Sequence, residues 1–111
     1  MVHIGSVVLN VRDRKRAAAF WSAALNYAPR REGSDSLIPR DGDGIQLTLD
    51  ETDRTHLDLD AASADEQQAE VERLVGLGAQ RVPEWRYPDG ADFVVLRDTE
   101  GNLFCVIDTS L

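Results

Sequence analysis

The stretch "THLDLDAASADEQQAEVERLVGLG", residues 55–78, decides the fold because it contains a strand, a capped helix and a helix end in that order. Apolar and polar residues alternate over 55–61, which is typical of a strand with one buried face. Ser63 and Glu66 have the spacing of a capping box, so we predict that a helix begins here. Gly78 suits the left-handed position at which many helices end.

The second half continues with strands. Strands are predicted at residues 80–85, 92–97 and 103–108, with a turn at 100–102 joining the last two. Pro83 has no N–H to donate, which moves the first of these strands to a sheet edge. The predicted helix, residues 64–77, carries an apolar stripe made by Val71, Leu74, Val75 and Leu77.

The first half has the same order of elements. A strand is predicted at residues 3–11, and Asp13 is a capping residue for a helix over 14–26. Asn26 and Pro29 predict the end of that helix. Three further strands are predicted near 30–33, 36–40 and 45–50, with a turn at 41–44. Phe20 and Trp21 are expected in the core, as part of an apolar stripe formed by Ala17, Phe20, Trp21, Ala24 and Leu25.

Strand, helix and three strands thus occur twice, which predicts an α+β fold of two βαβββ modules in tandem. Module 1 covers about residues 1–52 and module 2 about residues 53–111. Strands that alternate in polarity predict sheets with one face under helices and one face open. Two such modules side by side would form a cupped mixed sheet with its helices on the outer face. Superposing the halves places Ser6 on His56, Leu9 on Leu59, Leu25 on Leu77 and Gln46 on Cys105.

Composition restricts the classes of partner. The chain has 111 residues, enough for one domain, and a net charge of −8, which argues against nucleic acid and anionic membranes. The single cysteine excludes an internal disulfide. No signal pattern and no apolar run of membrane-spanning length is seen, so we expect a cytoplasmic protein. No phosphate-binding glycine loop suggests a nucleotide cofactor.

The whole chain resembles the vicinal oxygen chelate superfamily, also called glyoxalase/bleomycin-resistance/dioxygenase-like proteins. The ending "GNLFCV", residues 101–106, is similar to that of a short glyoxalase-like subgroup. The resemblance implies paired βαβββ modules, the glyoxalase-like fold, and a site inside the cup. The matching stretches are "VVLNVRDRKRAAAFWSAAL" (7–25), "HLDLDA" (56–61), "EVERLVGLGAQRV" (70–82) and "LRDTEGNLFCVID" (96–108).

The resemblance also implies where a metal would be bound. Metal-dependent members take His, Gln or Glu ligands from the first, fourth, fifth and eighth strands. Those places fall here on Ser6, Gln46, His56 and Cys105, of which only His56 matches cleanly. The set contains no carboxylate, so we expect no intact metal site and no cofactor, with a divalent metal as the alternative.

Alternation places a mixed set of polar and apolar residues on the face without helices. Such a face is typical of a small-molecule pocket, although a solvated sheet face is the simpler alternative. Trp85 is expected near the rim of the cup, at the end of the predicted strand 80–85. The expected ligand-binding residues are Ser6, Val8, Gln46, Thr48, His56, Trp85, Leu103 and Cys105.

His56 and Asp58 are the candidate catalytic residues. They lie two apart on one strand face, where the carboxylate would support the imidazole as a general acid or base. A surface histidine beside a carboxylate is the alternative interpretation. Cys105 is interpreted as a small lining residue rather than a nucleophile, which would need an activating base.

Three functions follow from this sequence. The first is a glyoxalase-like protein that binds a partly apolar small molecule without an intact metal site, for resistance or sequestration. The second is a lyase, isomerase or dioxygenase that uses His56 with Asp58, Gln46 or Cys105. The third is a dimeric interaction module. We expect a small molecule as partner. The expected assembly is a homodimer, with a compact pseudo-symmetric monomer as the alternative, since open sheets leave edges that pairing or closure would cover.

Overall fold

The computed structural model describes residues 1–111, and the predicted order βαβββ-βαβββ is confirmed. Contacts divide the chain into a first unit, residues 5–55, and a second unit, residues 1–4 with 56–111. Neither helix is long and apolar enough to cross a membrane. The elements are β1 (His3–Asn10), α1 (Arg14–Leu25), β2 (Tyr27–Pro29), β3 (Ser36–Pro39), β4 (Gln46–Asp50), β5 (His56–Ala61), α2 (Ala64–Gly76), β6 (Gln80–Arg81), β7 (Phe93–Arg97) and β8 (Leu103–Asp108).

The first unit is a mixed sheet with the strand order β2-β3-β4-β1, beside which α1 packs. Strand β1 runs parallel to β4, and the other neighbours are antiparallel. Leu37 on β3 and Leu49 on β4 are completely or almost completely buried and form the centre of this unit. Their burial removes apolar surface from water, which is the main favourable contribution to folding.

Helix α1 begins and ends as predicted, but of the predicted apolar stripe only Ala17 and Trp21 are half-buried. The Asp13 carboxylate accepts a hydrogen bond from the Arg16 N–H at 3.0 Å, and Asn26 ends the helix in the left-handed conformation with a φ of 56°. Phe20 is 62% exposed, so its predicted place in the core is wrong. Ala24 and Leu25 are exposed as well. The half-buried positions are 17, 18, 21 and 22, which share one helical face turned away from Phe20.

The second unit is a mixed sheet with the strand order β5-β8-β7-β6, in which β5 runs parallel to β8. Four buried residues form its core, and the half-buried Leu74 and Val75 of α2 pack against them. Leu77 is 68% exposed, so the predicted apolar stripe ends at Val75. The core residues are Ala61, Val71, Leu96 and Val106.

The ends of α2 agree with the sequence interpretation. The Ser63 hydroxyl accepts a hydrogen bond from the Glu66 N–H at 3.1 Å. The Glu66 carboxylate accepts one in return from the Ala62 N–H at 2.9 Å, one residue before the cap. Gly78, with a φ of 118°, donates to the Val75 carbonyl, and Ala79 donates to the Leu74 carbonyl. These two hydrogen bonds form a Schellman motif. The motif requires a residue with left-handed backbone conformation, which glycine adopts without strain.

Two strand predictions are wrong in position. The strand expected at 30–33 is β2 at Tyr27–Pro29, because the left-handed Asn26 turns the chain directly into the sheet. The strand expected at 80–85 is only β6, Gln80–Arg81, and Pro83 lies beyond its end. Trp85 is therefore in a loop and not on a strand.

Candidate functional site

Three side chains with different donor atoms come together in the second unit. Alternation along β5 places His56 and Asp58 on one face, and the parallel register makes Asp58 the direct partner of Cys105 on β8. The His56 Nε2 and Asp58 Oδ1 atoms are 3.3 Å apart. The candidate ligand atoms of His56, Asp58 and Cys105 all lie within 4.8 Å of one another. We call these three residues the His–Asp–Cys cluster.

The His–Asp–Cys cluster is partly shielded from solvent. The exposed fraction is 10% for the His56 side chain and 24% for that of Asp58, and Cys105 is half-buried. Leu103 and Ile107, which share the strand face of Cys105, are half-buried as well. An imidazole, a carboxylate and a thiol in such a place can move a proton or bind a metal ion.

A second polar group lies in the first unit. Thr48 Oγ1 is 2.9 Å from Ser6 Oγ and 3.1 Å from Ser36 Oγ. The Gln46 amide donates to Thr48 Oγ1 at 3.2 Å and to Ser36 Oγ at 3.4 Å. The Gln46 Oε1 atom accepts a hydrogen bond from Arg30 Nη1 at 3.0 Å. We call these five residues the hydroxyl–amide cluster.

The hydroxyl–amide cluster does not fit a divalent metal. The Gln46 Oε1 atom, which a metal would need, already accepts a bond from the Arg30 guanidinium. That cation would also repel a metal ion placed beside it. Ser6 is a neutral ligand, 5% exposed, and its hydroxyl is within hydrogen-bond distance of Thr48. The four-ligand set implied by the resemblance therefore lacks two usable positions.

The register also corrects the superposition of the halves. Ser6 pairs with Gln46 and Val8 with Thr48 in the first unit, whereas Asp58 pairs with Cys105 in the second. If Ser6 corresponds to His56, then Val8 corresponds to Asp58. Val8 pairs with Thr48, and Asp58 pairs with Cys105, so Cys105 corresponds to Thr48. The sequence superposition had matched Cys105 with Gln46, two residues earlier.

The remaining predicted site residues are placed as follows. Val8 is 6% exposed and pairs with Thr48, so it lies beside the hydroxyl–amide cluster. Trp85 is 36% exposed in the loop after β6, where its backbone N–H donates to the Val82 carbonyl at 3.1 Å. Tyr87, in the same loop, hydrogen-bonds to β7 through its hydroxyl.

Three residues of the two clusters are not predicted in these roles from the sequence. Arg30 and Ser36 were not among the expected site residues, and Asp58 was expected as a catalytic group but not as a potential ligand beside Cys105. Alternation along the predicted strand 36–40 shows which face Ser36 shares. The β3–β4 register, which the sequence does not give, places Ser36 opposite Thr48. Arg30 directly follows β2, whose predicted position was three residues too late.

Comparison with known proteins agrees with this architecture. The profile of the glyoxalase-like domain matches residues 6–107. The methylmalonyl-CoA epimerase of Mycobacterium tuberculosis matches with a TM-score of 0.62 and 18% identity, over 95% of this chain and 86% of that one. A glyoxalase/bleomycin resistance protein/dioxygenase superfamily member from Vibrio splendidus 12B01 matches with a TM-score of 0.61 and 13% identity, over 97% and 99%.

A third structure, an NAD-dependent benzaldehyde dehydrogenase from Legionella pneumophila, matches with a TM-score of 0.67 and 12% identity, over 93% of this chain and 96% of that one. At these identities the similarities establish the fold alone. No curated protein matches the chain at a significant level. Fold and profile together define a glyoxalase-like domain. The chain belongs to the glyoxalase-like domain family of the vicinal oxygen chelate superfamily.

Proposed function

We propose that the protein binds a partly apolar small molecule and does so without the four-ligand metal site of its superfamily. The observation that carries this proposal is the Arg30–Gln46 hydrogen bond, which engages the amide oxygen that a metal would need. Sequestration of a toxic compound is one form that this function takes. The cytoplasm is the proposed location, because the single cysteine provides no disulfide framework.

The chemistry of the hydroxyl–amide cluster favours a ligand with an oxygen acceptor. Arg30 is exposed, and a guanidinium has donors beyond the one directed at Gln46. Val8 adds a buried apolar surface next to Thr48. A few convergent polar groups beside apolar ones are typical of small-molecule sites. We therefore propose that the ligand carries a carboxylate or carbonyl on an apolar body.

A thermal-shift screen of aromatic and aliphatic carboxylates and ketones tests this function. A ligand present at 100 times its Kd adds about 2.7 kcal/mol of stability. The Arg30→Gln variant should lose most of the shift, whereas Arg31→Gln, an exposed arginine next in the chain, should retain it. Equal shifts in both variants would exclude the hydroxyl–amide cluster as the binding site.

An enzyme is the second candidate function, and the His56–Asp58 pair favours it. With 3.3 Å between Nε2 and Oδ1, the carboxylate can orient the imidazole for proton transfer. Methylmalonyl-CoA epimerase shares the fold, so methylmalonyl-CoA is a rational first substrate. Incorporation of solvent deuterium, followed by NMR, should occur in the wild type and be lost in His56→Gln. Incorporation at the rate of a protein-free control would count against catalysis of this type.

We also propose that the protein is a homodimer. The motivation is the duplicated module, whose open sheets leave edges that a second copy would cover. Light scattering on the purified chain should give twice the 12.3 kDa monomer mass. Open-ended assembly to higher masses would contradict a closed dimer.

A further inference from the structure

We propose that the His–Asp–Cys cluster is a metal site contained within the second unit, suited to zinc or another divalent ion that accepts nitrogen and sulfur ligands. This set differs from the one implied by the resemblance, because it includes Asp58 and requires no residue of the first unit. It stands independently of the small molecule proposed above, since that molecule is assigned to the hydroxyl–amide cluster.

The geometry of the His–Asp–Cys cluster is close to that of a tetrahedral site. Zinc binds nitrogen and oxygen at about 2.0–2.2 Å and sulfur at about 2.3 Å, which separates neighbouring ligand atoms by about 3.3–3.6 Å. The His56 Nε2 and Asp58 Oδ1 atoms already have such a separation, at 3.3 Å. All three ligand atoms lie within 4.8 Å of one another. Side-chain rotations that move these atoms by about 1 Å would bring them to zinc-binding distances.

The backbone holds these residues in place without a flexible loop. His56 and Asp58 project from the same face of β5, and Cys105 projects from the middle of β8. Backbone pairing in the parallel ladder fixes Asp58 opposite Cys105. Ligands on regular strands are positioned more exactly than ligands on loops.

The donor set favours a borderline metal over calcium or magnesium. Imidazole nitrogen and thiolate sulfur suit zinc, cobalt and nickel, whereas magnesium and calcium take oxygen ligands. Binding releases the Cys105 thiol proton to the buffer, after which thiolate and carboxylate offset the charge of the ion. Three protein ligands leave a fourth position for water or a small oxygen donor, as in catalytic zinc sites.

Cobalt(II) titration of the purified protein tests the site directly. A thiolate ligand should produce a sulfur-to-cobalt charge-transfer band in the near ultraviolet, saturating at one cobalt per chain, and zinc should displace it. Cys105 is the only cysteine, so this band reports on one residue. Cys105→Ser should lose the band, with the fold checked by circular dichroism. Absence of the band in the wild type would overturn the proposal.

Reactivity of the thiol gives a second readout that does not depend on spectra. One equivalent of zinc should slow alkylation of Cys105 by iodoacetamide in the wild type. Because loss of even an outer-sphere partner costs about 10- to 100-fold in metal affinity, Asp58→Asn should weaken zinc protection by about 100-fold. Asp60→Asn, on the same strand face and paired with His3 at 3.8 Å, is the matched control and should keep it. Equal protection in the two variants would show that Asp58 is not a ligand.

Discussion

Asp58 on β5 and Cys105 on β8 are direct partners in the parallel ladder of the second unit. Their side chains, with that of His56, lie on the strand face opposite Ala61, which packs in the core with α2. The helix-bearing face therefore forms the core, while the other face holds the His–Asp–Cys cluster. Substitutions on the two faces should separate stability from the properties of this cluster.

Acid stability should depend on Glu70, a buried carboxylate on α2. Hydrogen bonds from the Arg73 side chain, at 2.6 and 3.1 Å, and from the Val2 N–H, at 2.7 Å, lower its pKa from 4.5 to about 2. Its stabilising contribution is complete above pH 4.5, the unfolded-state value, and is lost as the pH falls toward 2.

Chemical unfolding between pH 6 and pH 2 measures this dependence. Glu70→Gln should be less stable than the wild type near neutral pH and should lose less stability on acidification. Glu72→Gln, an exposed carboxylate on the same helix, should follow the wild-type pH profile. A Glu70→Gln profile parallel to that of the wild type would contradict the assignment.

Replacement by alanine should destabilise the protein far more at Leu96 than at Leu77, both in the second unit. Leu96 is completely buried in the core cluster, so Leu96→Ala should cost about 2–5 kcal/mol of unfolding free energy. Leu77 is 68% exposed, so Leu77→Ala should stay within about 0.5 kcal/mol of the wild type. Urea denaturation measures both values. Comparable losses would restore Leu77 to the apolar stripe predicted from sequence.

Tyr87 should be a structural residue of the β7 edge. Strand β6 pairs only with Leu96 and Arg97 of β7. The Tyr87 hydroxyl accepts a hydrogen bond from the next N–H of β7, that of Val95, at 2.8 Å. Val95 is buried, so Tyr87→Phe should cost about 1–3 kcal/mol by leaving that N–H without its acceptor. Tyr27→Phe, which removes a bond to the carbonyl of the exposed Ile45, should cost less when both are compared by denaturation. The opposite order would show that water replaces the Tyr87 hydroxyl.

Fluorescence of Trp85 tests its expected role as a ligand-binding residue, a role that the hydroxyl–amide cluster of the first unit does not require. The chain has two tryptophans, and Trp21→Phe leaves Trp85, 36% exposed in the loop after β6, as the sole emitter. A compound that raises the Tm in the thermal-shift screen should then shift or quench the emission. Unchanged emission with a stabilising compound would place Trp85 away from the ligand. Trp85→Phe, which retains Trp21, serves as the control.

Local chemistry determined the order of elements in this chain. Asp13 and Ser63 cap the two helices, and Asn26 and Gly78 end them, because hydroxyl, carboxylate and left-handed residues satisfy helix ends within a few residues. Period-two alternation likewise placed His56 and Asp58 on one strand face. These features depend on neighbours in sequence, so they could be predicted without the tertiary structure.

Only the tertiary structure decided which residues meet across strands. The β5–β8 register brings Cys105 opposite Asp58, and no local pattern specifies a partner 47 residues away along the chain. Packing also turned α1 so that Phe20 faces solvent, while positions 17, 18, 21 and 22 form the half-buried face of the helix. The Arg30–Gln46 contact arose from the position of β2 in the same way. Strand register and helix rotation are set by the burial of whole faces, which is a property of the assembled fold.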